Sequence, residues 1–144
     1  MEKRNNTKRS ANSQISHDNM VRYIANDLVS RGYSVRADHI NWPEGSFREL
    51  NGYIPDVTAI DNNSSLVFEI ETCLTYNDEH AKEKLTAFDK KAGTYIIIPP
   101  VCSRDNNNDD PVAEVKQILK NWGLFFVRVG TCEPFTGTIN YSPW

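Results

Sequence analysis

No long hydrophobic run occurs in the 144-residue chain; its longest apolar stretch, Tyr95 to Val101, is broken by Pro99 and Pro100. No segment therefore reads as a membrane span, which needs about 20 consecutive apolar residues. The N-terminus is polar and basic and lacks an apolar segment, so it does not read as a secretory signal. Cysteine is scarce: Cys73, Cys102 and Cys132 are widely spaced and odd in number. No Cys-x-x-Cys pair is present, so a structural zinc site is not expected. Reduced thiols in a cytoplasmic, intracellular setting are the default expectation. Positive charge is also short. The net charge is −3, which does not favour strong non-specific nucleic-acid affinity, since that rests on Lys and Arg against phosphates. No internal repeat is found.

What is present fits one globular domain. Hydrophobic residues make up 39% and charged residues 24% of the chain, ordinary values that allow a single buried core. Charge is unevenly placed. Residues 1–14 carry Lys3, Arg4, Lys8 and Arg9 against Glu2, a net +3 that leaves −6 for the remainder. This arm is Asn-rich and nearly free of large apolar groups, so it reads as a disordered basic arm. It suits either phosphate contacts or a solvated tail without a role.

The stretch Ile54 to Thr72 carries the strongest signal. Two apolar runs, Ile54 to Ile60 and Leu66 to Ile70, flank the turn-forming Asp61-Asn62-Asn63-Ser64-Ser65, which predicts an antiparallel hairpin. Alternation puts Leu66, Phe68 and Ile70 on one face of the second strand, and Val67, Glu69, Glu71 and Cys73 on the other. Asp56 follows Pro55 in the facing strand, so three carboxylates can converge at one end of the hairpin. Converging carboxylates repel and call for a divalent cation; oxygen-only ligands suit Mg²⁺, with Mn²⁺ as its substitute. The plain alternative is a half-exposed strand with solvated glutamates.

Pro55-Asp56, a short hairpin and then Glu69-Ile70-Glu71 resemble the core of the PD-(D/E)XK nuclease superfamily, which includes restriction endonucleases and archaeal Holliday-junction resolvases. Asn51-Gly52-Tyr53-Ile54 before the motif and Thr72 after it also fit. The lysine of the family motif falls where this chain has Glu71. The resemblance implies a restriction endonuclease-like αβββαβ core and Mg²⁺-dependent hydrolysis of DNA phosphodiester bonds, at branched or single-stranded structures among others. Asp56 and Glu69 would be metal ligands, and Glu71 would bind metal or accept a proton. The missing cation would come from Lys84, because the family moves this lysine between elements; a solvated Lys84 in a helical pair with His80 or Phe88 is the alternative. Such enzymes also place an acidic residue on the first helix near the metal, for which Asp18 and Asp27 are candidates. A helix-dipole role for Asp18 and a solvated position for Asp27 are the alternatives.

Taken in order, Ser16 opens a helix in which Met20, Tyr23, Ile24 and Leu28 recur at helical spacing, and Gly32 ends it. Tyr33 to Ala37 reads as a strand. Asp38 to Tyr53 is a long loop in which Trp42, Phe47 and Arg48 suit either nucleic-acid contact or, for the aromatics, capping of the core. Glu49 is a further candidate metal ligand. Asp78 starts a helix to about Lys91 with an apolar stripe of Ala81, Leu85, Phe88 and Ala92; His80, Lys84 and Lys91 fall on one flank and Lys82 on the other. Thr94 to Ile98 is a buried strand, Pro111 to Trp122 a helix, and Leu124 to Val129 the last strand.

The predicted order α-β-β-β-α-β-α-β implies an α/β fold, a mixed sheet flanked by helices on both faces. The organisation expected is an arm over 1–14, a nuclease-like domain over 15–130, and an extension over 131–144 packed on the domain or at a homodimer interface. A different functional class stays open: the same fold as a catalytically inactive nucleic-acid-binding or interaction module. Glu71 at the lysine position and the acidic body both suit it.

Overall fold

The computed structural model describes residues 11–102 and 107–141. Helix α1 (Ala11–Ser30) leads through Gly32, at φ 95°, into strand β1 (Ser34–Ala37). The hairpin follows as β2 (Val57–Ile60) and β3 (Ser65–Ile70). Then come α2 (Glu79–Asp89), β4 (Gly93–Ile98), α3 (Pro111–Asn121), β5 (Arg128–Cys132) and β6 (Ile139–Asn140). The strands form one six-stranded mixed sheet in chain order, β1-β2-β3-β4-β5-β6. The pairs β1–β2, β2–β3 and β5–β6 are antiparallel, and β3–β4 and β4–β5 are parallel. The expected α/β architecture with helices flanking a mixed sheet is therefore observed.

Alternation along the central strands divides the core in two. Phe68, Ile70 and Ile97 pack with Met20, Val21, Ile24 and Leu28 of α1 on one face. Ile96, Ile98 and Val129 pack with Leu85 of α2 and with Val115 and Leu119 of α3 on the other. Both parallel crossovers thus lie opposite α1. The hairpin turn is held by Asp61, whose Oδ1 accepts hydrogen bonds from the backbone of Asn63 and Ser64 at 2.8 and 2.7 Å. Asp110 caps α3 by accepting from Ala113 N, with Pro111 in the first turn where its missing N–H costs nothing.

Four expectations need correction. Helix α1 begins at Ala11, not Ser16, so residues 11–14 are not part of a disordered arm; Lys3, Arg4, Lys8 and Arg9 lie outside the described residues. The buried stripe continues backwards from Met20 through His17 to Ser13. Those first turns cover polar groups rather than apolar core, so their sequence carries no hydrophobic period. The second correction is β5, which occupies Arg128–Cys132 rather than Leu124 to Val129. Phe125 and Phe126 are 71% and 84% exposed, in a turn, while Leu124 and Val127 enter the α3 side of the core. Third, α2 stops at Asp89 rather than about Lys91, and β4 starts at Gly93 rather than Thr94.

The fourth concerns the thiols. Cys73 and Cys102 form a disulfide, with Cα atoms 5.6 Å apart, while Cys132 is free and buried. Their separation of 29 residues hides a spatial neighbourhood. Ile70 of β3 pairs with Ile97 of β4, so the chain just beyond both parallel strand ends is brought together. The segment after β5 supplies the short strand β6, and Tyr141 packs against Phe68 and Tyr95 while its hydroxyl donates to Asp27 at 2.7 Å. Phe135 is exposed, and Trp144 lies outside the described residues. No helix among the described residues is long and apolar enough to cross a membrane.

Candidate functional site

The site lies where β2 begins and β3 ends. Extending the register of Val57 against Phe68 by two residues puts Pro55 opposite Ile70. Proline has no N–H for the ladder, and the chain bends at Asp56. The Asp56 carboxylate takes over: Oδ2 accepts the Ile70 N–H at 2.8 Å. Asp56 therefore stands at the end of β3, within reach of α1 from one face and of α2 from the other.

All four residues expected to act in catalysis are buried. Asp56 and Glu69 are 0% exposed, and Glu71 and Lys84 are 1% exposed. Lys84 comes from α2 and forms an ion pair with Glu69 Oε2. The side chain expected on a helix flank is thus turned to the sheet, beside the apolar stripe of Ala81, Leu85 and Phe88. Glu71 Oε1 accepts from the Thr75 hydroxyl at 2.6 Å. Asp56 Oδ1, Glu69 Oε1 and Glu71 Oε2 are buried without a hydrogen bond among the described residues. Orphaned buried acceptors cost about 1–3 kcal/mol each, more when charged, unless another group meets them.

Charge orders the cluster. Burial pushes both carboxyls up. At Asp56 the Lys84 ammonium and His17 reverse this, and its carboxyl ends well below the usual range. At Glu69 burial is reinforced by the Asp56 and Glu71 charges, and its carboxyl stays well above the usual range despite Lys84. Burial weakens the Lys84 ammonium, but Glu69, Asp56 and Glu71 together raise its pKa above the ordinary lysine value. The ammonium stays charged.

Two histidines join this cluster, and the carboxylate pattern holds no hint of them. Nε2 of His17, on α1, lies 3.4 Å from Asp56 Oδ2. His39 follows β1 with φ 70°, a conformation uncommon outside glycine, and its Nε2 lies 3.2 Å from Asp56 Oδ1. His17, His39 and Asp56 each offer one ligand atom, all within 4.8 Å of one another, and this group could hold a metal ion. Asp56 is shared with the predicted carboxylate set, whereas Glu69 turns to Lys84 and Glu71 to Thr75. A local signal for His17 does exist: it sits three residues before Met20, on the α1 stripe. For His39 no local signal exists.

The remaining candidates fall elsewhere. Asp18 touches the site through His17, accepting from Nδ1 at 3.0 Å. Asp27 instead binds Arg31 and Tyr141 near the far end of α1. Arg48 and Glu49 are exposed. Trp42 packs on the α1 side of the core and donates its indole N–H to Val35 O at 2.9 Å, so it caps the core; Phe47 is half-buried. His80 stacks edge-on against Tyr53.

Comparison with known proteins adds little. No family model matches the sequence, and no curated protein matches it. Among solved structures, the chain is similar to an XisH family protein from Nostoc punctiforme PCC 73102, with 12% identity over 88% of this chain and 96% of that one, at a TM-score of 0.48. That degree of likeness carries no argument.

Proposed function

We propose that this chain is a metal-dependent nuclease that hydrolyses DNA phosphodiester bonds. The observation that carries the reading is the buried meeting of Asp56, Glu69 and Glu71, each with an orphaned oxygen, with the Lys84 ammonium. Burying three carboxylates beside one ammonium leaves negative charge in excess, and a divalent cation is the group that fits unsatisfied carboxylate oxygens. Asp56 and Glu69 would hold Mg²⁺ or Mn²⁺. The cation's contribution is Lewis acidity toward a phosphoryl oxygen and a more acidic water.

The chain supplies the rest. Lys84 keeps its charge and can stabilise the negative charge that builds on the phosphate oxygens, the role the family gives to the residue at position 71. Glu71 Oε2 is available to accept a proton from the attacking water. Thr75 orients Glu71 through the other oxygen. Because these groups are shielded from solvent, a phosphodiester reaches them only when the covering chain moves aside. Exposed Arg48 and the basic residues of the N-terminal arm would meet the DNA backbone.

The test is cleavage of branched, single-stranded and duplex DNA in Mg²⁺ and in Mn²⁺. Cleavage of at least one substrate that stops on chelation is the expected result. Binding without cleavage in either metal would leave the fold as a binding module and overturn the enzymatic reading.

A further inference from the structure

We infer that His17, His39 and Asp56 form a site for a first-row transition cation of the Mn²⁺ to Zn²⁺ series, chosen over Mg²⁺ by two imidazole nitrogens. The site shares Asp56 with the nuclease reading but does not require phosphodiester cleavage.

Spacing is the first support. A tetrahedral ion with bonds of about 2.0–2.1 Å holds its ligands about 3.4 Å apart. The two histidine nitrogens stand 3.4 and 3.2 Å from the two oxygens of Asp56. Asp38 Oδ2 is a further oxygen nearby, 3.5 Å from the His39 nitrogen. The site is also built: the His17 and Asp56 side chains are 0% exposed.

The second support is the far side of His17. Its Nδ1 lies 3.0 Å from Asp18 Oδ1, and Gln14 donates to the same oxygen at 2.8 Å. A carboxylate only accepts, so Nδ1 carries the hydrogen. Nε2 is then the nitrogen turned to Asp56 Oδ2, and the ring presents it where a cation shared with that carboxylate would sit. A carboxylate behind a histidine is the usual means of fixing the metal-binding tautomer. A doubly protonated ring would satisfy the same contacts, and it is the competing arrangement.

Ligand type sets the preference. Imidazole suits Zn²⁺, Ni²⁺ and Fe²⁺, whereas Mg²⁺ requires a near-octahedral oxygen shell and gives up water reluctantly. The three protein ligands leave positions open for water or substrate.

The test uses the untagged 144-residue chain with Co²⁺ as a visible probe. A single bound ion with visible absorption is expected, displaced by Zn²⁺ and not by a large excess of Mg²⁺. His39→Ala, at a partly exposed position, should weaken Co²⁺ binding at least tenfold while near-UV circular dichroism stays native. Asp18→Asn should weaken it by about 10–100-fold, as is usual when the partner behind a metal-bound histidine is removed. Glu79→Gln, at an exposed position on α2, should leave Co²⁺ binding intact. Unchanged Co²⁺ binding in both His39→Ala and Asp18→Asn, or ready displacement by Mg²⁺, would overturn the site and leave the protonated ring. A chain that binds Co²⁺ as expected but cleaves no DNA keeps this site and refutes the nuclease reading instead.

Discussion

Two buried carboxylates, Asp56 and Glu69, have opposite electrostatic characters. Asp56 is stabilised as an anion, so its contribution to stability is present above its unfolded value near 3.8 and is lost as pH falls through its depressed folded value. Glu69 holds its proton more tightly in the fold, so its ionisation weakens the fold as pH rises from 4.5 through its raised value. Glu69→Gln removes that penalty. Urea denaturation without metal should show the variant gaining on wild type as pH rises above the ordinary Glu value of 4.5; a constant difference would contradict the assignment. Lys84 is the counterpart. Lys84→Met leaves buried anions uncompensated and should cost roughly 3–5 kcal/mol. Lys82→Ala, half-buried on the opposite flank of α2, should stay within about 0.5 kcal/mol. Equal, small losses in both variants would mean that Lys84 is not structurally tied to the carboxylates.

At the scale of elements, legibility follows locality. The β2–β3 hairpin, the shared face of Glu69 and Glu71, and the α2 stripe are period-2 and period-3.6 patterns readable within a dozen residues. The first turns of α1 are hidden because Ser13, Gln14 and His17 serve a polar neighbourhood, including Thr72, to which Ser13 donates at 3.0 Å. The approach of His39 to Asp56 and the Cys73–Cys102 disulfide depend on which strands lie side by side, which no local pattern encodes. β5 is hard to place because Phe125 and Phe126 look like a buried strand yet face solvent. The closing β5–β6 segment has its own constraint. Gly137 has φ 79°, and an added Cβ would lie 2.7 Å from the Tyr23 ring. Gly137→Ala should therefore destabilise by roughly 1–3 kcal/mol through left-handed strain and ring displacement. A thermal melt matching wild type would show that this turn gives way freely.

For the whole molecule, the question is how a chain with net charge −3 would hold DNA. Its cations near the N-terminus, Lys3, Arg4, Lys8 and Arg9, precede α1, and the first turns of α1 approach the site through Ser13 and His17. Deletion should stop at residue 10, because residues 11–14 belong to the helix. Removing 1–10 should weaken DNA binding and flatten its salt dependence by about 0.9 in logarithmic slope for each phosphate no longer neutralised. An unchanged slope would place the phosphate-binding cations elsewhere, with exposed Arg48 the next candidate.

The central claim is that the buried carboxylate–lysine cluster hydrolyses phosphodiesters. Wild type and Glu69→Gln should be compared for Mn²⁺-dependent cleavage of the same branched, single-stranded and duplex DNAs. Glu69→Gln suits the comparison because it removes the carboxylate and keeps the size of the side chain, and near-UV circular dichroism of the variant separates a loss of activity from a loss of fold. The account predicts metal-dependent cleavage by wild type and none by the variant. Cleavage by neither, or equally by both, would contradict it.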